Sequence, residues 1–349
     1  MNRKIRIGIA GAGQMGRAHA QAFATHGVEI VGIVDSDSER AKDLAQSSGA
    51  AAVGSVAQLL GMGLDALSIC LPHSLHFDVA MMAVDRGVHL LIEKPHCVTL
   101  DESRRLRAAC AEKRIKAMAG FTHRFLQSSI EIERRLRAGY LGRVELMVDR
   151  LIANGLGAHA PDWYRRQALA GGGIAMIGMI HSIDRLRWLV GAEITTVQSL
   201  TRHSDPGSDV ETTGLALLEF ASGAQASLIA HRSPVKGHER TNCYELFGTK
   251  ANASCSVGSF SDQRLVLQGE EGRVEKTYAA DQPFKTEIGE FLAAIADDRE
   301  PSPNLVDAEI ALGVVLAIYE SAKSRQPISM SEFIGDLPAK LHHHHPVHA

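Results

Sequence analysis

The stretch KIRIGIAGAGQMG, residues 4–16, constrains this chain more than any other. An apolar run ends in Gly11, Gly13 and Gly16, in G-x-G-x-x-G spacing, and an amphipathic stretch follows. Strand, glycine turn and helix in that order make a dinucleotide-binding unit. Gly11 serves the tight turn, Gly13 lets a pyrophosphate approach the backbone, and Gly16 lets helix pack on strand. The helix opening at Gln14 and Met15 points free N–H groups at that pyrophosphate. The next apolar run, VEIVGIVD, ends in Asp35, at the roughly 20-residue distance of a ribose-binding acid. A carboxylate there accepts from ribose hydroxyls and repels a 2′-phosphate, so NAD is the expected cofactor. Arg40, one helical turn on, keeps NADP as the alternative.

The first third continues this rhythm. Apolar runs at 4–10, 28–35, 64–71, 88–94 and 115–120 read as strands, and 14–26, 37–48, 55–61, 75–86 and 100–113 as helices, the last started by Asp101. Such alternation means a parallel sheet covered on both faces. After residue 122 a helix at 126–138 precedes long strands at 143–153, 193–203, 210–220, 224–233 and 240–248, joined by turns such as FASGA. Strands in succession imply an antiparallel sheet, flanked by helices at 172–190, 284–298 and 304–324. The fold class is therefore an α/β Rossmann domain over 1–122, followed by an α+β domain with an open, mainly antiparallel sheet over 123–330. The rest, 331–349, reads as a tag-derived or disordered tail.

Composition excludes several roles. Lys plus Arg number 37 against 40 Asp plus Glu, a net charge of −3, which gives no field for nucleic acid or an acidic membrane. No run reaches the roughly 18 apolar residues of a membrane span. Five cysteines without paired spacing point to a reducing cytoplasm rather than a disulfide framework. The histidines lack ligand spacing, so no catalytic metal is expected.

GIAGAGQMG, CLPHSLHFDVAMMAVDRGVHLLIEKP, AGFTHRF and GGG…H..D together resemble the Gfo/Idh/MocA oxidoreductases, over nearly the whole chain apart from the tail. The most specific mark is Glu93-Lys94-Pro95 after the fifth strand. The resemblance implies NAD(P)-linked oxidation or reduction of a sugar, cyclitol, dihydrodiol or related alcohol. It also implies a homodimer or homotetramer assembled through the C-terminal sheet. Pro72, His73, His76 and Glu93 would line the cofactor, and Lys94 would lie between nicotinamide and the reacting hydroxyl. A strand end is where α/β folds place ligands, which agrees independently. Burial would lower the Lys94 pKa and suit it to proton transfer. His123, Arg124 and Trp163 should reach the cleft, and Arg165 and Arg166 could join Arg124 on a substrate carboxylate.

The stretch AGGGIAMIGMIHSID, 170–184, carries the one departure. The family writes three glycines, an aspartate, a glycine, a histidine and a second aspartate; here His181 and Asp184 align, but Ile177 stands at the first aspartate. On a helix, 177 and 181 share a face. Isoleucine cannot accept a hydrogen bond, and it dries the pocket, which favours a neutral His181. Catalysis should then rest on Lys94 and His181, with Asp184 orienting the imidazole. Two other readings stay open: an NAD-dependent glycoside hydrolase, and a dinucleotide-sensing regulator, which Ile177 favours.

Overall fold

The alternation of apolar runs and helices builds one parallel sheet. The computed structural model describes residues 3–156, 160–235, 237–259, 262–279 and 281–335. Strands β1 (Arg6–Ala10), β2 (Glu29–Val34), β3 (Ala51–Val53), β4 (Ala66–Ile69), β5 (His89–Glu93) and β6 (Ala117–Gly120) stand in the order β3-β2-β1-β4-β5-β6. Every pairing is parallel. Helices cover both faces, so Ile7, Ile9, Leu67, Ile69 and Ile92 are fully buried. The order reverses between β1 and β4, which opens a crevice at the carboxyl ends of the strands. Only β3 lacks a sequence signal, because it is three small or half-exposed residues on the sheet edge. Helix Leu100–Glu112 starts at Thr99, whose hydroxyl and Glu102 form a capping box, and not at Asp101, which lies in the first turn.

The second sheet has nine strands: β7 (Val144–Asn154), β8 (Ile194–Arg202), β9 (Thr213–Phe220), β10 (Gln225–Ser233), β11 (Thr241–Gly248), β12 (Ala251–Ser259), β13 (Asp262–Gly269), β14 (Gly272–Ala279) and β15 (Ile328–Ser329). Their order is β14-β13-β12-β11-β7-β10-β9-β8-β15. All pairs are antiparallel except β7 with β10. The chain leaves β7 through the segment carrying His181, starts again at the far side and returns to β7 from both flanks. Consecutive strands therefore do not all pair, as their turns alone suggest. Strands β12 to β14 carry weak signals, small residues such as Ala253 and Cys255 inward and an exposed β14.

The late helices tie the two halves together. Helix Pro283–Ala296 lays Ile288, Phe291 and Leu292 into the same apolar cluster as Ile7, Ile9 and Phe23 of the first sheet. The chain also stays packed past residue 330: helix Met330–Ile334 buries Met330 and Ile334. The remainder of the expected tail, from 336 on, lies outside the described residues. Among the described residues no helix is long and apolar enough to cross a membrane.

Candidate active site

The glycine turn is tight on two sides and open on the third. Gly11 has φ +100°, and a Cβ there would stand 2.2 Å from the Cys70 carbonyl oxygen; at Gly16 it would stand 1.8 Å from that of Gly11. At Gly13 it would meet nothing within 4 Å. Gly13 is also the N-cap of helix Gln14–Ala24 and offers no side-chain acceptor, so the first N–H groups face open space. Asp35 sits just past β2. Its carboxylate accepts from the N–H groups of Ala12 (2.7 Å) and Asp37 (2.8 Å) and from Arg40 Nη2 (2.9 Å). Burial works to raise its pKa, but these donors hold it below the usual carboxylate value. An open cradle of uncapped N–H groups beside an ionised acid fits a dinucleotide.

The opposite wall follows β4. His73 is buried, with Nδ1 2.7 Å from the Ala170 carbonyl oxygen and its ring edge-on to Trp163 at 4.7 Å between centroids. Trp163 stacks in turn on Tyr164 at 4.1 Å. Burial, then His76 and Lys94, lower the His73 pKa well below its ordinary value, so the ring is neutral. His76 departs from its expected place on the cofactor. It is fully buried, with both ring nitrogens 2.8 Å from carbonyl oxygens, those of Pro95 and Leu71. It pins the segment after β4 to the segment after β5, and so acts on the site by positioning. Pro72 is the residue before the His73 turn.

Glu93 ends β5, buried, and accepts from His19 Nε2 (3.2 Å) and from the Lys94 N–H (3.1 Å). Burial opposes a charged His19, but Cys70 and Glu93 beside it prevail and hold its pKa well above the ordinary value. Glu93 in turn stays ionised despite its burial. Lys94 Nζ donates to the Ile177 carbonyl oxygen at 3.0 Å. Burial lowers its pKa, with Arg232 and Arg240 adding to the shift and Glu93 opposing it.

The glycine-led segment is not one regular helix. Residues Ala175–Met179 form a π-helix that runs into helix Ile180–Val190. A Cβ at Gly178 would meet Leu151 Cδ2 at 2.7 Å, so this turn lies hard on β7. Glu211 anchors its start, accepting from the N–H groups of Gly173 and Ala175 (both 2.8 Å) and from the Tyr319 hydroxyl (3.0 Å). The wider turn changes the register that a regular helix would give 177 and 181. What Ile177 presents to Lys94 is its backbone oxygen. At the position where the sequence pattern led us to expect a carboxylate, the acceptor comes from the main chain.

His181 is half-buried and stacks on His123, with centroids 4.2 Å apart and planes 18° apart. His123 Nδ1 lies 3.1 Å from Arg185 Nη1. Arginine only donates, so Nδ1 accepts and the His123 proton sits on Nε2. Arg185 itself pairs with Asp149 and lies 3.9 Å above the Tyr244 ring. Burial first, then the neighbouring positive charges, push the pKa of both histidines well down, so both rings are neutral.

Asp184 does not orient His181, whose Nδ1 is buried without a hydrogen-bond partner. Asp184 instead grips Arg124 through two bonds, Nε to Oδ2 at 2.8 Å and Nη2 to Oδ1 at 2.5 Å. Arg124, in turn, is buried, also reaches Asp307 at 3.3 Å, and does not face the cleft. Arg165 is occupied as well, by the Leu156 carbonyl oxygen (2.5 Å) and by Asp205 (3.8 Å). A carboxylate clamp of Arg124 and Arg165 is therefore not what the fold assembles. His19, Asp149, Arg185 and Glu287 were invisible as site neighbours, because nothing in their local sequence marks them and long-range packing brings them in.

Glu287 has a testable consequence. It is fully buried, accepts from Thr122 Oγ1 at 3.0 Å through Oε2, and Oε1 has no partner. Burial first, and then Glu93, push its pKa up to about 8. The unfolded chain ionises it near pH 4.5, so stability falls as pH rises from there to about 8 and changes no further above. Glu287→Gln should therefore stabilise the protein at pH 8 by on the order of 2 kcal/mol, and the gain should vanish below pH 4. Denaturation midpoints at both pH values read it; an equal effect at both would contradict the assignment.

Comparison with known proteins places the chain in a family. Residues 5–121 match the model of an oxidoreductase family with an NAD-binding Rossmann fold, and 130–275 match the GFO/IDH/MocA C-terminal domain. The chain belongs to the Gfo/Idh/MocA oxidoreductase family. It is similar to scyllo-inositol 2-dehydrogenase (NAD(+)) of Bacillus subtilis strain 168, 26% identical over 95% of this chain and 97% of that one. Inositol 2-dehydrogenase of Rhizobium meliloti strain 1021 is 24% identical over 94% and 99%. A solved levoglucosan dehydrogenase in complex with NADH shares the fold, with a TM-score of 0.85, 21% identity and coverage of 94% and 99%. This family member is an NAD(P)-dependent dehydrogenase or reductase acting on CH–OH groups, with a nucleotide-binding Rossmann domain.

Proposed function

We propose that the chain interconverts a secondary hydroxyl and a carbonyl on a polyhydroxylated substrate of the sugar or cyclitol class, with Lys94 moving the hydroxyl proton. The observation that carries this is Lys94 itself: a desolvated amine with lowered pKa at the end of β5, beside the neutral His181 and His123 rings. Bound NAD(P) supplies the hydride acceptor or donor. Lys94, in its neutral form, accepts the hydroxyl proton at Nζ as that hydroxyl is oxidised, and returns it in the reverse direction. The Ile177 carbonyl fixes Nζ. His181, neutral and with its Nδ1 unpartnered, gives the substrate a hydrogen-bonding imidazole that does not compete as an acid. Trp163, Tyr164 and His73 form an aromatic wall that keeps water from the reacting carbon. A screen of polyols, inositols and sugars against NAD and NADP, followed at the reduced-cofactor absorbance, tests the reading; silence across the panel would sink it.

Asp35 would set cofactor choice. Asp35→Ala removes the ribose acceptor and leaves Arg40, which pairs with it at 2.9 Å, on Asp37 alone at 3.3 Å. NAD affinity should fall about tenfold while NADP affinity holds or rises. A ratio of NAD to NADP that does not move would refute the ribose role. The outer face of the second sheet exposes Leu146, Leu200, Leu215 and Leu217, an apolar face that supports the expected homo-oligomer.

A further inference from the structure

Among the described residues, Arg232 near the site has no counter-ion. On β10, Ala226, Leu228 and Ala230 alternate inward and are buried, and Arg232 is the next residue on that face. The face is the one that carries His181. Leu228 and Tyr244 both stand opposite Asp149 of β7, and Asp149 holds Ser182 and Arg185 of helix Ile180–Val190. Four residues further along, Arg232 stands opposite Ala153. Its charge acts on Lys94 and is felt by Tyr164.

Arg232 is half-buried and makes no ion pair or side-chain hydrogen bond among the described residues. Glu211, a carboxylate whose charge acts on it, is already occupied by Gly173, Ala175 and Tyr319. Burial pulls the Arg232 pKa below its ordinary value. A partly desolvated guanidinium beside a lysine is unfavourable unless an anion arrives with the ligand.

We infer that Arg232 receives a carboxylate of the substrate, which makes that substrate an acidic polyol of the uronate or aldonate class. This rests on the dehydrogenase reading above and narrows it. A planar, singly charged carboxylate matches one guanidinium fork in bidentate fashion. Arg240 reaches the same face by the alternation of Asn242, Tyr244 and Leu246 on β11 and adds to the field.

The test compares acid and neutral partners: glucuronate with glucose, galacturonate with galactose, gluconate with sorbitol, and glucose 6-phosphate as a third arm. kcat/KM is measured for the wild type, Arg232→Leu and Arg232→Lys, and glucuronate is titrated calorimetrically into each protein loaded with NADH. The wild type should prefer the acids at least about tenfold. Arg232→Leu should cut that ratio, and the titrated affinity, by about 10- to 100-fold, and Arg232→Lys should recover part of both. Equal use of neutral partners, preference for the sugar phosphate, or a ratio unmoved by Arg232→Leu would each overturn the inference. Neutral polyols turned over without any acid would overturn it and leave the dehydrogenase reading standing. Arg232-dependent glucuronate binding with no NADH from any substrate would support it while the dehydrogenase reading fails.

Discussion

Replacing Lys94 by alanine should lower kcat by about 10³-fold, with the NADH dissociation constant changed by no more than a few fold. The separation follows from where the amine sits. Its Nζ is held by the Ile177 carbonyl and not by the glycine turn or Asp35, so cofactor binding does not depend on it. Its loss removes the one aliphatic amine at the reacting end of β5. His181 cannot take over fully: burial and four positive or imidazole neighbours, His123, Lys94, Arg185 and Arg240, depress its basicity. Lys94→Arg should not rescue, since a guanidinium stays protonated. Near-normal turnover in Lys94→Ala would remove this residue from the chemistry.

Asp184→Ala should destabilise the fold by about 3–5 kcal/mol, the range for breaking a buried pair by removing one partner. Arg124 would keep the Ser302 hydroxyl at 3.3 Å and, as its one carboxylate among the described residues, Asp307, which is already shared with Arg187 at 2.8 Å. The network joins the turn after β6, helix Ile180–Val190 and helix Leu305–Ser324, so the loss is spread over three elements. Denaturant unfolding reads the effect. Had Asp184 oriented His181, the variant would lose activity and keep its stability, and that outcome would overturn the structural assignment.

The nucleotide half was legible because its signals are local. A glycine turn, an acid about 20 residues on and apolar runs of strand length each depend on near neighbours in sequence. Glu93 and Lys94 were legible for the same reason, as a strand end. Ile177 marks where local reading stops. The substitution is plain in the sequence, but its consequence assumed regular helix, and the π-turn replaced a side-chain contact with a carbonyl. The arginines failed differently. Arg124, Arg165 and Arg232 are alike in sequence, and which of them lacks a partner is decided by Asp184 and Asp307, by Asp205, and by the alternation of β10. Those ion pairs span 40 to 183 positions and leave no periodic trace.

The most direct test of the account is the fate of the carbinol hydrogen. A substrate from the polyol panel, deuterated at the reacting carbon, is incubated with NAD and the wild-type protein, and the reduced cofactor is isolated and weighed by mass spectrometry. The expected result is stoichiometric reduced cofactor carrying the deuterium, a slowed rate against the unlabelled substrate, and near loss of both signals in Lys94→Ala. Cleavage of a chromogenic glycoside with no net reduced cofactor, or tight NADH binding with no label transfer from any polyol, would contradict it.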